Sequence, residues 1–268
     1  MGIGRPEISR KRPGCFLFLL DQSRSMAGTF VDSSHSKADA LALAVNVAIQ
    51  RLILNCMPDG EPVDYYHVAA IGYGGERVEL AFGGSLEGQQ FVRISELAEH
   101  PMRYAMDSDA TERPVWVEPR AHGRTPMCKA LATARAAVED WVGDFPESAP
   151  PIVLNVTDGF ASDGDPDEEA HRLMGVATRQ GSTLLLNLQL SSRPLPPVLF
   201  PSNDLDIAFP QSRALFYMSS PLPNYMVEVA RTLGIPLAEQ ARGFGCNADV
   251  TTLLHFIQLG TTPTLPAR

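Results

Sequence analysis

Two stretches of this sequence are short and apolar almost without a break: Cys15-Phe-Leu-Phe-Leu-Leu20 and Ile152-Val-Leu-Asn-Val156. A run of five or six residues without polar alternation reads as a strand buried on both faces, as at the centre of a parallel sheet. Each run leads straight into acid: Asp21 follows the first, and Thr157-Asp158-Gly159 follows the second. A chain with two such strands must cover both faces of its sheet with helices.

The rest of the chain supplies them. Ala40, Leu41, Ala44, Val45, Ala48, Ile49, Leu52 and Ile53 recur at helical spacing within Lys37 to Met57, and Pro58-Asp59-Gly60 stops the helix. Val63 to Tyr73 and Val78 to Phe82 read as two strands joined by a Gly74-Gly75 turn. Gly83 to Gly123 is irregular, with some helical character over Leu86 to Glu99. A second helix runs from Pro126 to about Trp141, with Pro at an early helical position, and a third from about Glu168 to Arg179. Thr183 to Leu190 is a strand, and Ser191 to Pro210 is a Pro-rich loop. Ala214 to Met218 is expected as the last strand, with short helices at Tyr225 to Leu233 and Val250 to Leu259. This order predicts an α/β fold: a Rossmann-like, doubly wound, mostly parallel sheet with one antiparallel edge strand and helices on both faces. The organisation expected is a basic extension over 1–13, one domain over 14–260 with insertions near 83–123 and 191–212, and a tail over 261–268.

Charge narrows the function. Of 268 residues, 22 are Lys or Arg and 31 are Asp or Glu, a net charge of −9. Sequence-independent nucleic-acid binding and attachment to an anionic membrane surface both need clustered cations, and neither is expected. Cys15-Leu20 is too short for a signal-peptide core, and no small-residue cleavage site follows it. The four cysteines, Cys15, Cys56, Cys128 and Cys246, form no Cys-x-x-Cys pair and no zinc spacing. The chain therefore reads as cytoplasmic, with buried thiols.

In doubly wound folds ligands sit outside the carboxyl ends of the strands. The first strand ends in Asp21-Gln-Ser23-Arg24-Ser25, whose polar residues alternate and put three oxygen-bearing side chains on one side. The strand through Val156 ends near Asp158, and Gly123-Arg124-Thr125-Pro126 offers a hydroxyl just before a helix. If the two strands are neighbours, two carboxylates and three hydroxyls surround one point. Two carboxylates there repel, so either one takes a proton or a cation binds. All the donors are hard oxygens, which favours Mg²⁺, or Mn²⁺ in its place.

Asp21-x-Ser23-x-Ser25, Thr125 and Asp158 resemble the metal-ion-dependent adhesion site of von Willebrand factor A domains. The resemblance covers about Gly14 to Met218, and the flanks Phe-Leu-Leu-Asp-Gln-Ser-Arg-Ser-Met and Gly-Arg-Thr-Pro-Met look like those of stand-alone bacterial members associated with tellurite resistance. It implies that Ser23 and Ser25 hold the metal directly, Thr125 directly or through water, and Asp21 and Asp158 mainly through water. One position then stays open for an Asp or Glu of a protein partner, for which a kinase, phosphatase or AAA+ ATPase is the expected class. The implied function is a Mg²⁺-dependent interaction module, an adaptor or scaffold in a bacterial stress, signalling or defence assembly, and not an enzyme. Arg24 stands where such relatives usually carry Gly or another small residue. Together with His122 and Arg124 it forms the expected partner-binding rim, or else it pairs with Asp32 or another local acid.

Other readings are weaker. Asp163, Asp165, Asp167, Glu168 and Glu169 faintly resemble a calcium loop, but the twelfth position from Asp163 is Met174, so solvated helix-start acids are the better reading. A metal-dependent hydrolase or phosphatase would want a carboxylate where Ser23 stands. No Gly-x-Ser-x-Gly elbow and no phosphate-binding Gly-rich loop is present. A metal-regulated subunit of an AAA+ ATPase or chelatase machine is a further alternative.

Overall fold

The computed structural model describes residues 7–31, 34–106, 112–235, 237, 239–248 and 250–261. Asp32, the alternative partner for Arg24, lies outside the described residues, as do positions 1–6 of the basic extension and 262–268 of the tail.

The first apolar run is β1 (Gly14–Asp21), buried along its whole length. Its side chains alternate faces: Phe16, Phe18 and Leu20 enter one core, Leu17 and Leu19 the other. Helix α1 (Lys37–Asn55) follows, started by Ser36 and Asp39, whose side chains each bond the other's backbone N–H. By length and apolar composition α1 is long enough to cross a membrane, but 61% of the qualifying span is buried inside the fold. The chain then makes β2 (Tyr66–Gly74), β3 (Arg77–Leu80), β4 (Val92–Arg93), α2 (Ile94–Glu99), the hairpin β5 (Arg103–Met106) and β6 (Glu112–Val115), and α3 (Met127–Asp144). It continues through β7 (Ile152–Thr157), α4 (Asp167–Gly175), the two-residue strands β8 (Ala177–Thr178) and β9 (Gly181–Ser182), and β10 (Leu184–Leu190). It ends with β11 (Val198–Leu199), α5 (Pro210–Tyr217), α6 (Asn224–Thr232), β12 (Phe244–Ala248) and α7 (Val250–Thr261).

The main sheet runs β11-β12-β10-β7-β1-β2-β3, with β4 also paired to β2. The pairs from β12 through to β2 are parallel, and β3 and β11 close the two edges antiparallel. The mixed α/β architecture around a mostly parallel sheet is thus as expected. One core lies between the sheet and α1, α2, α6 and α7, the other between the sheet and α3, α4 and α5.

Four local expectations are corrected. There are two antiparallel edges, not one, because the loop after β10 lays Val198 and Leu199 against β12. Ala214 to Met218 lies not in a strand but in α5 and the residue capping it, which Pro210 opens at its first turn. The last strand is instead β12, whose Gly-Cys-Asn core has poor strand propensity. A Cβ on Gly245 would lie 2.7 Å from Cδ1 of buried Leu188 on β10, which would then have to move. The third helix stops at Gly175, and the chain after it forms the β8–β9 turn. Positions 83–123 are likewise more ordered than expected: Trp116 and Val117 are buried, and the Asn46 side chain of α1 bonds the backbone of both.

One chain of polar side chains crosses the sheet. Tyr73 Oη donates to Asn155 Oδ1 (2.7 Å), Asn155 Nδ2 to Asn187 Oδ1 (2.9 Å), and Asn187 Nδ2 to Ser219 Oγ (3.0 Å). It links β2, β7 and β10 to the turn after α5, satisfying polar groups that burial would otherwise penalise.

Candidate functional site

The chain winds from β1 outward to β2 and β3, then returns to build β7, β10 and β12 on the other side of β1. The strand order therefore switches between β1 and β7, and the crevice at their carboxyl ends is the expected ligand position for this topology. Leu20 pairs with Val156, which sets Asp21 beside Thr157 at those ends.

Asp21 is 1% exposed. Its Oδ1 accepts the Ser23 N–H (2.8 Å) and its Oδ2 the Thr157 hydroxyl (2.6 Å). Burial pushes the Asp21 carboxyl above the usual carboxylate range; those bonds oppose the rise and neighbouring Asp158 adds to it. The Ser23 and Ser25 hydroxyls are 3.0 Å apart, and Ser25 Oγ donates to Asp158 Oδ1 at 2.6 Å. The structure thus brings Asp21, Ser23, Ser25 and Asp158 into one connected group across 133 residues of chain.

Thr125 arrives on a loop clamped from both sides. His122 N–H donates to Gln22 O (2.7 Å), Arg24 N–H to Gly123 O (3.1 Å), and Gly75 N–H to Arg124 O (2.9 Å). Gly123 sits at φ +64°, and a Cβ there would lie 2.2 Å from Cα of Gly75. Only glycine admits both that backbone conformation and that approach. Ser162 then ties the loop after β7 to Thr125 in both directions, Thr125 N–H to Ser162 Oγ and Ser162 N–H to Thr125 O. Thr125 is buried at the same strand ends, while Arg24, His122 and Arg124 are exposed around them. Among the described residues Arg24 makes no ion pair.

The acidic run beyond Asp158 is built for another purpose. Both oxygens of Asp163 accept backbone N–H groups at the start of α3, Cys128 at 3.1 Å and Lys129 at 3.0 Å. Asp163 is an N-terminal cap of α3, a role that suits a carboxylate at the positive end of a helix. Asp165 accepts the Asp167 N–H at the start of α4.

Sequence reasoning missed Lys37. Its ammonium lies 2.5 Å from Asp158 Oδ2, with side chains 8% and 1% exposed. The contact lacks hydrogen-bond alignment, and Oδ2 accepts no hydrogen bond. The signal was available: Lys37 opens a strongly apolar helix, where the helix dipole disfavours a cation unless an acid is near.

No protein family profile and no curated protein matches the chain. Among solved structures it is similar to the pilus adhesin SpaC from Lactobacillus rhamnosus GG, at 11% identity and a TM-score of 0.53, over 96% of this chain and 31% of that one. It also matches the type V pili tip protein Mfa5 from Porphyromonas gingivalis (17% identity, TM-score 0.32, 56% of this chain and 20% of that one). A third match is the minor pilin PilB from Streptococcus sanguinis (14% identity, TM-score 0.35, 55% and 30%). The chain thus spans about a third of the adhesin's length, and the likeness to the adhesin is one of fold.

These findings correct the family reading. The chain is not assigned to the von Willebrand factor A family, nor to its tellurite-resistance-associated type: no family profile matches it, and a solved structure that it resembles in fold is a pilus adhesin. The identification of these residues as that family's metal-ion-dependent adhesion site is withdrawn with it, and no three or more His, Cys, Asp or Glu side chains group to hold a metal among the described residues. The physical reason is that Asp-x-Ser-x-Ser and Thr-Asp-Gly are short polar motifs at strand ends, where a dry strand gives way to a polar loop, and at that length they do not by themselves establish a family. What remains is the donor set itself. Two carboxylates and neighbouring hydroxyls, with no sulfur or imidazole among them, fit a hard divalent cation better than any soft one.

Proposed function

We propose that the carboxyl ends of β1 and β7 form a docking site for a protein partner that presents an Asp or Glu, with Mg²⁺, or Mn²⁺ in its place, held by Asp21, Ser23, Ser25, Thr125 and Asp158. The bound cation supplies a positive centre for the partner's carboxylate. The chain's own residues hold the cation and surround it with an exposed rim of Arg24, His122 and Arg124.

One observation carries this reading: the Ser25 hydroxyl, which is exposed, meets both Ser23 Oγ and Asp158 Oδ1, so hard oxygens from two distant segments converge at an accessible point. A buried Asp21 behind them, already bonded to Ser23 N–H and Thr157, orients the set. Four unpaired thiols, three of them buried, support a reducing compartment.

Calorimetric titration with Mg²⁺ tests the site, comparing wild type with Ser25→Ala and Thr125→Ala. Pulldown of partners with and without chelator tests the docking. The expected result is cation binding and chelator-sensitive capture in wild type, both lost in the two variants. Capture that survives both substitutions and the chelator would overturn the reading.

A further inference from the structure

Asp158 divides its two oxygens between opposite neighbours. Oδ1 accepts the hydroxyl of Ser25, while Oδ2 meets the ammonium of Lys37 at 2.5 Å. Lys37 is held there from its backbone outward: its N–H donates to Gly28 O at 3.0 Å, in the loop that follows Ser25. As the first residue of α1 it stands at the positive end of the helix dipole, so Asp158 is what keeps an ammonium in this nearly dry position. Lys37 also lines an open cleft of about 400 Å³ whose walls include Asp158, Gln189 and Arg193. The Arg193 guanidinium lies over the ring of Phe209, 5.8 Å from its centre, and makes no ion pair among the described residues. The cleft thus brings two cations, Lys37 and Arg193, to a wall that also contains Asp158 of the oxygen cluster.

We propose that Lys37 is a specificity-determining residue of the docking site, a fixed cation that weakens metal binding and strengthens capture of the partner's carboxylate. This rests on the reading given above. The argument is one of sign. A positive charge beside the oxygen cluster repels a divalent cation and attracts an incoming carboxylate, and in a site of low dielectric both effects exceed their size in water. Lys37 therefore makes the loaded site prefer an acidic ligand, and makes the unloaded site tolerate the absence of metal by countering Asp158 itself.

The test uses the full chain with Mn²⁺ alone, free Mn²⁺ being read by electron paramagnetic resonance. The capped tripeptide Gly-Glu-Gly, with Gly-Gln-Gly as control, is then titrated onto Mn²⁺-saturated protein. Lys37→Gln removes the charge but leaves an amide that can donate to Asp158; Lys37→Arg keeps the charge. Lys37→Gln is expected to bind Mn²⁺ about tenfold more tightly and the Glu peptide about tenfold more weakly, the lower range of what one adjacent charge does to an ionic equilibrium. Lys37→Arg is expected to leave both within about threefold of wild type, and thermal melts confirm that each variant is folded. If Lys37→Met is used and does not fold, Lys37→Gln carries the same comparison. Mn²⁺ binding in wild type with both affinities unchanged in Lys37→Gln, or shifted in the same direction, overturns the role of Lys37 alone. No Mn²⁺ binding by wild type at millimolar concentration overturns the docking-site reading beneath it.

Discussion

The Thr157 hydroxyl donates to Oδ2 of Asp21 at 2.6 Å, joining the last residues of β7 and β1 side by side across the sheet. Asp21 is nearly inaccessible, so this bond is the main donor to that oxygen; the Asp158 N–H is 3.4 Å away. Thr157→Val keeps the shape and removes the donor. It is expected to lower stability by about 1–3 kcal/mol, the cost of leaving a buried acceptor unsatisfied. Urea denaturation measures it, and Thr157→Ser, which restores the hydroxyl, should recover most of the loss.

Gly123 controls where Thr125 sits. At φ +64°, with its Cβ position 2.2 Å from Gly75 Cα, it has no room for a side chain. Gly123→Ala is expected to destabilise the fold by about 1–3 kcal/mol from backbone strain alone. It should also weaken Mg²⁺ binding, because the loop 122–125 must shift away from Gly75. Gly60→Ala, also at positive φ but in open space, is the control: thermal melts should show a smaller loss there and calorimetry an unchanged cation affinity.

Asp163 separates capping from cation binding. Asp163→Ala removes two N–H···O bonds at the start of α3 and is expected to lower stability by roughly 0.5–2 kcal/mol. The same variant should bind Mn²⁺ as wild type does. A large loss of Mn²⁺ affinity with an unchanged melting temperature would show that Asp163 belongs to the cation site.

His67 predicts a pH dependence far from that site. Trp141 Nε1 donates to His67 Nδ1 at 3.1 Å, a bond only the neutral ring accepts. Burial lowers the His67 pKa below its ordinary value; Asp64 and Glu96 oppose this and Arg93 adds to it. The unfolded chain then binds a proton more readily than the folded one, so stability falls as pH drops through the unfolded value of about 6.5 toward the lower folded value. Melting temperatures of wild type should decline from pH 8 to pH 5, and the decline should be smaller in His67→Gln. An equal decline in both would assign the effect to other groups.

The parts of the fold that were legible are those where hydrophobic period alone decides. Phe16 to Leu20 and Val153 to Val156 are buried on both sides and could not be anything but inner strands. Helix α1 carries a wide apolar face over Lys37–Asn55. β12 was illegible because its strand is made possible by what it lacks, side chains at Gly243 and Gly245 that would strike Leu186 and Leu188. α5 was mistaken for a strand because Ala214 to Met218 is too short for either period to show. At the site, Asp21, Ser23, Ser25 and Asp158 could be named since each lies at a strand end. Lys37 carried a signal of its own, a cation opening an apolar helix, but its pairing with Asp158 was not legible, because only the β1–β7 adjacency brings the two segments together. The family name failed for a related reason: short polar motifs specify local turns, whereas descent is written along the whole chain.

The central place of β1 also has a consequence in time. It is the first strand among the described residues, yet one of its two flanks is covered by β7, more than a hundred residues later. Until that segment has been made and docked, the Asp21 carboxylate has no Thr157 beside it, and Ser25 has no Asp158. The oxygen cluster therefore comes into being late, as a product of tertiary closure. A chain released or cut before β7 would carry the first half of the motif intact and still be unable to bind through it.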